Sequence, residues 1–293
     1  MRVVRTKAEL RAALAPERLP GRSVGFVPTM GALHDGHLAL LAAARERCDV
    51  VVMSVFVNPT QFGPGEDLDA YPRDERRDLE LAERAGVDVA YAPSADEVYP
   101  QGFSTFVEVT GDMVRVLDGD RQRRGPTHFR GVTTVVAKLF NAVGPDIAFV
   151  GQKDAQQAAI IRRMVRDLDF PVEIVVVPTV REESGLALSS RNAYLDAAER
   201  ERAAALNRAL GAAARAAEEG ARSTAEALAA ARAELDAAGI EPEYLEARDA
   251  EDLSAAESFD GRPVLVAVAA RIGRARLIDN VVIGGLAGTA RDT

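Results

Sequence analysis

Through about residue 180 the chain alternates short apolar runs with longer stretches of mixed polarity. The runs at residues 24–27, 50–57, 87–91, 105–109, 147–150 and 172–177 predict strands. The continuous run 50–57 has the pattern of a central parallel strand, apolar on both faces. Between these runs, residues 38–47, 73–85, 132–143 and about 155–167 predict helices, the second stopped by Gly86. Alternating strands and helices predict an α/β fold, a Rossmann-like doubly wound parallel sheet that binds ligands beyond the carboxyl ends of its strands.

Near Arg181 the pattern changes. Residues 196–220 and 224–238 predict long helices rich in alanine and arginine, separated by a break at residues 220–223. Strands are expected after them at residues 244–247, 264–270 and 276–283. Helices followed by strands predict a smaller α+β domain. The expected division is residues 1–181 for the Rossmann-like domain and 182–293 for the smaller α+β C-terminal domain, read as a lid. Residues 287–293 are expected to be a frayed tail.

Charge narrows the classes of function. A net charge of −9 argues against a general nucleic-acid or membrane-surface binder, whose footprint is basic. No apolar run reaches the roughly 18–20 residues of a membrane span, and the charged N-terminal residues have no signal-peptide core. The one cysteine, Cys48, excludes an internal disulfide framework and a cysteine zinc site, and fits a reducing cytoplasmic setting. Lysine occurs only at Lys7, Lys138 and Lys153; all other basic side chains are arginine. Lys7 and Lys138 carry no signal of their own. Lys153 follows an apolar strand, where a compact ammonium does what a planar guanidinium does not.

Four segments carry chemistry. The first is Pro28-Thr29-Met30-Gly31-Ala32-Leu33-His34-Asp35-Gly36-His37, a strand end leading to two histidines at a helix start. Free amides and positive potential there favour an anion, and imidazoles donate to phosphoryl oxygens that gain charge. A metal site would need further ligands, and only His128 remains as histidine. The second is Asn58-Pro59-Thr60-Gln61-Phe62-Gly63, whose amides suit a small polar substrate or simply a turn. The third is Gly151-Gln152-Lys153-Asp154-Ala155-Gln156-Gln157, with a lysine for phosphate and a carboxylate for ribose hydroxyls. The fourth is Gly185-Leu186-Ala187-Leu188-Ser189-Ser190-Arg191-Asn192, read either as a triphosphate cradle on a flap hinged at Gly185 or as a turn capping the next helix.

Taken together, these segments resemble the pantothenate synthetase family, ATP-dependent ligases of the nucleotidyltransferase superfamily. His34-Asp35-Gly36-His37 is similar to the superfamily's HxGH signature. The combination with Tyr71-Pro72-Arg73 and His128-Phe129-Arg130-Gly131-Val132 is specific to the family. The resemblance implies that (R)-pantoate, β-alanine and ATP, with Mg²⁺, are converted through pantoyl adenylate to pantothenate, AMP and pyrophosphate. It implies catalytic roles for His34, His37, Lys153, Ser189 and Arg191. It implies ATP contacts from Met30, Gly151, Asp154, Val180, Leu188 and Ser190 as well, and pantoate contacts from Gln61 and Gln157. Asp78 is implied on the magnesium side, and a homodimer through the first domain. One departure from the family pattern is Gly125, where arginine commonly precedes the proline.

Overall fold

The computed structural model describes residues 1–63, 68 and 71–284. Two compact units are present: Met1–Val180 with Leu188–Ser190, and Arg181–Ala187 with Arg191–Thr293 as far as the latter is described. The tail expected at residues 287–293 lies outside the described residues.

The first unit is built on six strands: β1 (Arg2–Val4), β2 (Val24–Thr29), β3 (Val50–Val55), β4 (Val89–Tyr91), β5 (Ile147–Gly151) and β6 (Glu173–Val177). They form one sheet in the order β1-β4-β3-β2-β5-β6, with every pair parallel. Its helices are α1 (Lys7–Leu14), α2 (Asp35–Arg47), α3 (Glu75–Arg84), α4 (Ala95–Val98), α5 (Pro126–Val143) and α6 (Ala155–Asp167). Successive residues of a strand point to opposite faces, so apolar runs bury both. Phe26, Val52 and Ala148 face a core with α1, α5 and α6. Val27, Met53 and Phe149 face a second core with α2 and α3. From β2 the chain winds outward through β3 and β4, then returns to lay β5 and β6 on the other side of β2. Strand order therefore reverses between β2 and β5, and ligands bind at the carboxyl ends of strands at such a point.

Three features of this unit depart from the sequence pattern. Residues 105–109 belong to no strand. Instead Val107 is held by α5: its amide donates to Thr134 Oγ1 at 3.0 Å, and its carbonyl accepts from Thr133 Oγ1 at 2.7 Å. Strand β1 and helix α1 were hidden by their charges, yet Thr6 and Glu9 cap α1 reciprocally and Leu10 and Leu14 anchor it in the core. Helix α5 starts earlier than its apolar pattern, at Pro126, after Gly125 turns the chain at φ 76°.

The second unit contains α7 (Ala197–Ala203), α8 (Ala205–Glu218) and α9 (Thr224–Ala237), followed by β7 (Pro242–Asp249), β8 (Val264–Ile272) and β9 (Ala275–Ile283). The strands form an antiparallel sheet in the order β7-β8-β9. The helix expected over 196–220 is two, offset at Ala204. Alanines give α8 and α9 a shared buried seam: Ala205, Ala209 and Ala213 repeat every fourth residue, as do Ala227 and Ala231. Residues 181–187 form a small hairpin whose tight turn is Gly185, at φ 88° against Asn207. Arg181 ties it to β9 through a two-pronged pair with Asp279, at 2.7 and 3.0 Å. Glu182 accepts from Arg200 at 2.6 Å and from Asn192 at 3.2 Å.

Candidate active site

Strand β2 ends in a loop whose shape is set by one carboxylate. Thr29 Oγ1 donates to the Ser54 carbonyl at 2.6 Å and accepts from the Gly31 amide at 3.2 Å, turning the chain off the strand. Gly31 and Ala32 then take φ of 85° and 51°. Consecutive amides in that conformation make a concave anion site, and Asp78 of α3 fills it. Its two oxygens accept from the Ala32 and Leu33 amides, each at 2.8 Å. A Cβ on Gly31 would stand 2.8 Å from the same carboxylate, which explains the glycine. Asp78 is 1% exposed, with both oxygens engaged by the loop. These two bonds hold the loop in place. Asp78→Asn is expected to lower stability by about 2–4 kcal/mol, the scale of two charge-assisted bonds weakened in a buried site. A denaturant unfolding curve of the variant beside the parent checks this.

The loop delivers His34 to the start of α2. His34 Nδ1 accepts from the Gly36 amide at 3.2 Å, and the His34 amide donates to His37 Nδ1 at 3.3 Å. With both Nδ1 atoms accepting, each neutral ring carries its proton on Nε2 and keeps that donor for a ligand. The rings lie 4.1 Å apart, tilted by 45°. Gly36 is needed because a Cβ there would stand 2.9 Å from the His34 ring. Burial, then the Lys153 charge, lowers the His34 pKa. Burial, then the neighbouring His34 and Lys153, pushes His37 down to about 3.

The fold thus favours neutral His37. Its contribution to stability is complete above the ordinary imidazole value of about 6.5 and is lost as pH falls from there toward 3. We expect the His37 ring to show no titration between about pH 5 and 8 in ligand-free protein. Histidine ring NMR measures this; a midpoint near 6.5 would contradict the burial argument.

Lys153 and Asp154 follow β5, the strand beside β2. Their charges act on both rings, which brings the two motifs into one cluster. Lys153 Nζ stands 3.5 Å from Asp154 Oδ2, with the lysine side chain only 20% exposed. Above Gly151 nothing lies within 4 Å of a built Cβ, leaving room for a ligand to approach the backbone. The Leu188 amide donates to the Val180 carbonyl at 3.0 Å, and Leu188 Cβ lies 4.0 Å from a Cβ built on Gly36. Half-buried Ser189 and Ser190 follow directly in the same unit. Arg191 belongs to the other unit.

After β3, Gln61 Nε2 donates to Met30 Sδ at 3.2 Å, so Gln61 and Met30 meet. The adjacent glutamines of α6 divide their work. Buried Gln156 is consumed by structure: it accepts from the Asp118 amide at 3.0 Å and donates to the Met113 and Val116 carbonyls at 2.9 and 2.8 Å. Half-buried Gln157 is not drawn into that lock. No group of three His, Cys, Asp or Glu among the described residues is arranged to hold a metal. His128 is instead buried with Nδ1 2.7 Å from the Gln61 carbonyl.

A family model described as Pantoate-beta-alanine ligase matches residues 2–282. The chain belongs to the pantoate-beta-alanine ligase family. Membership makes it a ligase. Pantothenate synthetase 1 of Bradyrhizobium diazoefficiens is 54% identical over 283 residues, covering 97% of this chain and 98% of that protein. The crystal structure of pantothenate synthetase from Thermus thermophilus superposes with a TM-score of 0.88 at 51% identity, covering 96% of this chain and 99% of that one. Pantoate-beta-alanine ligase from Francisella tularensis, complexed with beta-gamma ATP and beta-alanine, superposes with a TM-score of 0.78 at 32% identity, covering 96% and 97%.

Sequence reasoning missed three contributors. Buried Asn58 serves as a hub rather than a substrate contact. Gly131 of α5 lets the 58–61 turn approach, because a Cβ there would stand 2.4 Å from the Thr60 carbonyl oxygen. Tyr99 bonds to Asn58 from a distant segment. The glycine in His128-Phe129-Arg130-Gly131 was a visible signal; the other two depend on pairings that spacing does not reveal.

Proposed function

We propose that the protein condenses (R)-pantoate with β-alanine, using ATP, through a pantoyl-adenylate intermediate. The carboxylate oxygen of pantoate attacks the α-phosphorus, and pyrophosphate leaves. The β-alanine amine then attacks the acyl carbon, loses a proton, and AMP leaves with the carbonyl–oxygen bond broken. One observation carries this reading: the paired neutral imidazoles, each with Nε2–H available, at a helix start beside Lys153 at the β2–β5 reversal.

Neutral donors suit this step because charge on the phosphates shifts as pyrophosphate departs, and donors aimed at that charge lower the barrier. In this reading His34 and His37 hold the reacting phosphates with Lys153, and the Met30 amide lies near them. Ser189, Ser190, Gly151, Val180 and Leu188 line the nucleotide, and Asp154 takes the ribose. Arg191 is proposed as a triphosphate contact on sequence alone. Gln61 and Gln157 hold pantoate. Magnesium arrives as MgATP, part of the substrate, and Asp78 is proposed on the magnesium side, as the family resemblance implies. The Francisella relative's complex with beta-gamma ATP and beta-alanine supports both ligands. We also propose a homodimer through the first unit, as the family resemblance implies, and a cytoplasmic setting, which the single buried thiol Cys48 fits.

The test is to mix the protein with ATP, pantoate and β-alanine and follow AMP and pantothenate. Both products are expected in equal amounts only when both acids are present. AMP formed with another acid, and none with pantoate, would make the protein a different ligase of the superfamily.

A further inference from the structure

An amide side chain has a donor edge and an acceptor edge, and the edge shown to a ligand decides what it reads. For Gln61 a hydrogen-bond network fixes that choice from behind. Asn58 is 1% exposed. Its Oδ1 accepts from the Thr60 amide at 3.3 Å, the Thr60 hydroxyl at 2.9 Å and the Tyr99 hydroxyl at 2.7 Å. Its Nδ2 donates to the Gly131 carbonyl at 3.1 Å. Backbone N–H on one side and backbone C=O on the other leave only one orientation for this amide. The second Nδ2 hydrogen then goes to Gln61 Oε1 at 3.0 Å. Asn58 has nothing left for a substrate.

Gln61 is thereby turned so that its oxygen faces inward and its Nε2 faces Met30 Sδ, a weak acceptor that a substrate oxygen outcompetes. Tyr99 is itself held in place. Phe103 stacks edge-on at 5.0 Å, and the Lys138 ammonium lies 5.8 Å above the Tyr99 ring and 4.6 Å above Phe103. Burial raises the Tyr99 pKa, so the phenol keeps the proton it donates.

We propose that Asn58, braced by Tyr99, is a positioning residue that fixes Gln61 as a pure N–H donor, so that its subsite selects an acceptor oxygen, carboxylate or hydroxyl, over any donor group. The selectivity follows from polarity: a ligand N–H placed there meets another N–H, and a buried unpaired donor is strongly rejected. This deepens the proposed function and rests on it.

Asn58→Asp keeps the shape but removes Nδ2–H. Gln61 then turns to donate to the new carboxylate and shows its oxygen to the substrate. The expected result is a rise of about tenfold or more in KM for pantoate, with KM for ATP within about twofold. Tyr99→Phe is expected to shift KM for pantoate the same way by about threefold, and serves as the test should Asn58→Asp not fold. The decisive arm repeats each substitution in a Gln61→Ala background, where either is expected to change pantoate dependence by less than about twofold. An equal rise in that background, an unshifted KM for pantoate in the parent background, or equal rises for pantoate and ATP would each overturn the proposal. Pantoate turnover by the unsubstituted protein is measured in the same assay. Its absence refutes the ligase reading itself, whereas turnover with unshifted variants refutes only the role of Asn58 and Tyr99.

Discussion

His34→Ala is expected to lower kcat by about 10²–10³-fold while weakening ATP binding by less than about tenfold. The asymmetry follows from what the ring offers. His34 is lowered in pKa mainly by burial and stays neutral, so it brings a directed N–H but no net charge to ground-state ATP. Its Nδ1 is occupied by the Gly36 amide, which fixes the proton on Nε2 before substrate arrives. A preorganised donor gains most when the oxygen it faces gains charge. The alanine variant also removes the cap of α2, a loss of about 1 kcal/mol. His34→Asn separates the two effects: asparagine restores a capping acceptor without the Nε2 donor. It is expected to recover stability and leave turnover low. Single-turnover rates and ATP affinity measured on both variants check this. Equal losses in binding and turnover would reduce the histidine to a ground-state contact.

Gly131→Ala is expected to cost about 1–3 kcal/mol of stability and to raise KM for pantoate by about tenfold or more. A Cβ at this position stands 2.4 Å from the Thr60 carbonyl oxygen, 2.6 Å from its carbon and 2.7 Å from the Gln61 amide nitrogen. All three are backbone atoms, so no flexible side-chain end can move aside. The turn would have to leave α5. That would stretch the Asn58–Gly131 bond of 3.1 Å and the contact of 2.7 Å between His128 and the Gln61 carbonyl. Gln61 would move with them. Denaturant unfolding and separate KM values for pantoate and ATP decide the matter. A variant with parental stability and pantoate KM would show that helix and turn part without consequence.

The sheet was legible because burial on both faces leaves an unmistakable signal: the run at 50–57 became the central strand β3, and the glycine-ended pattern at 73–85 became α3. What was not legible had physical reasons. Strand β1 sits at the sheet edge with exposed Arg2 and Val3, so it lacks the apolar run of an inner strand. Residues 105–109 have strand composition, but Thr133 and Thr134 take the backbone groups a neighbouring strand would have taken. At the site, the pairing of His34 and His37 was legible, because three-residue spacing at a helix start leaves little freedom. Their tautomers were not, since these depend on which amides reach Nδ1. Asp78 entered only through the family resemblance, and its hold on the loop amides depends on the positive φ of Gly31 and Ala32, which the sequence does not disclose. Lysine scarcity pointed to Lys153, and its charge does act on both histidines. The same scarcity carried no reading for Lys138, which stands over two aromatic rings behind the Gln61 subsite.

In the proposed function, this cluster activates a pantoate carboxylate on the α-phosphorus of ATP. Exchange of labelled pyrophosphate into ATP, measured with pantoate and without β-alanine, reads this first step alone. Exchange is expected to require pantoate and to fall steeply in His34→Ala. No exchange with pantoate, together with exchange driven by a different acid, would contradict it.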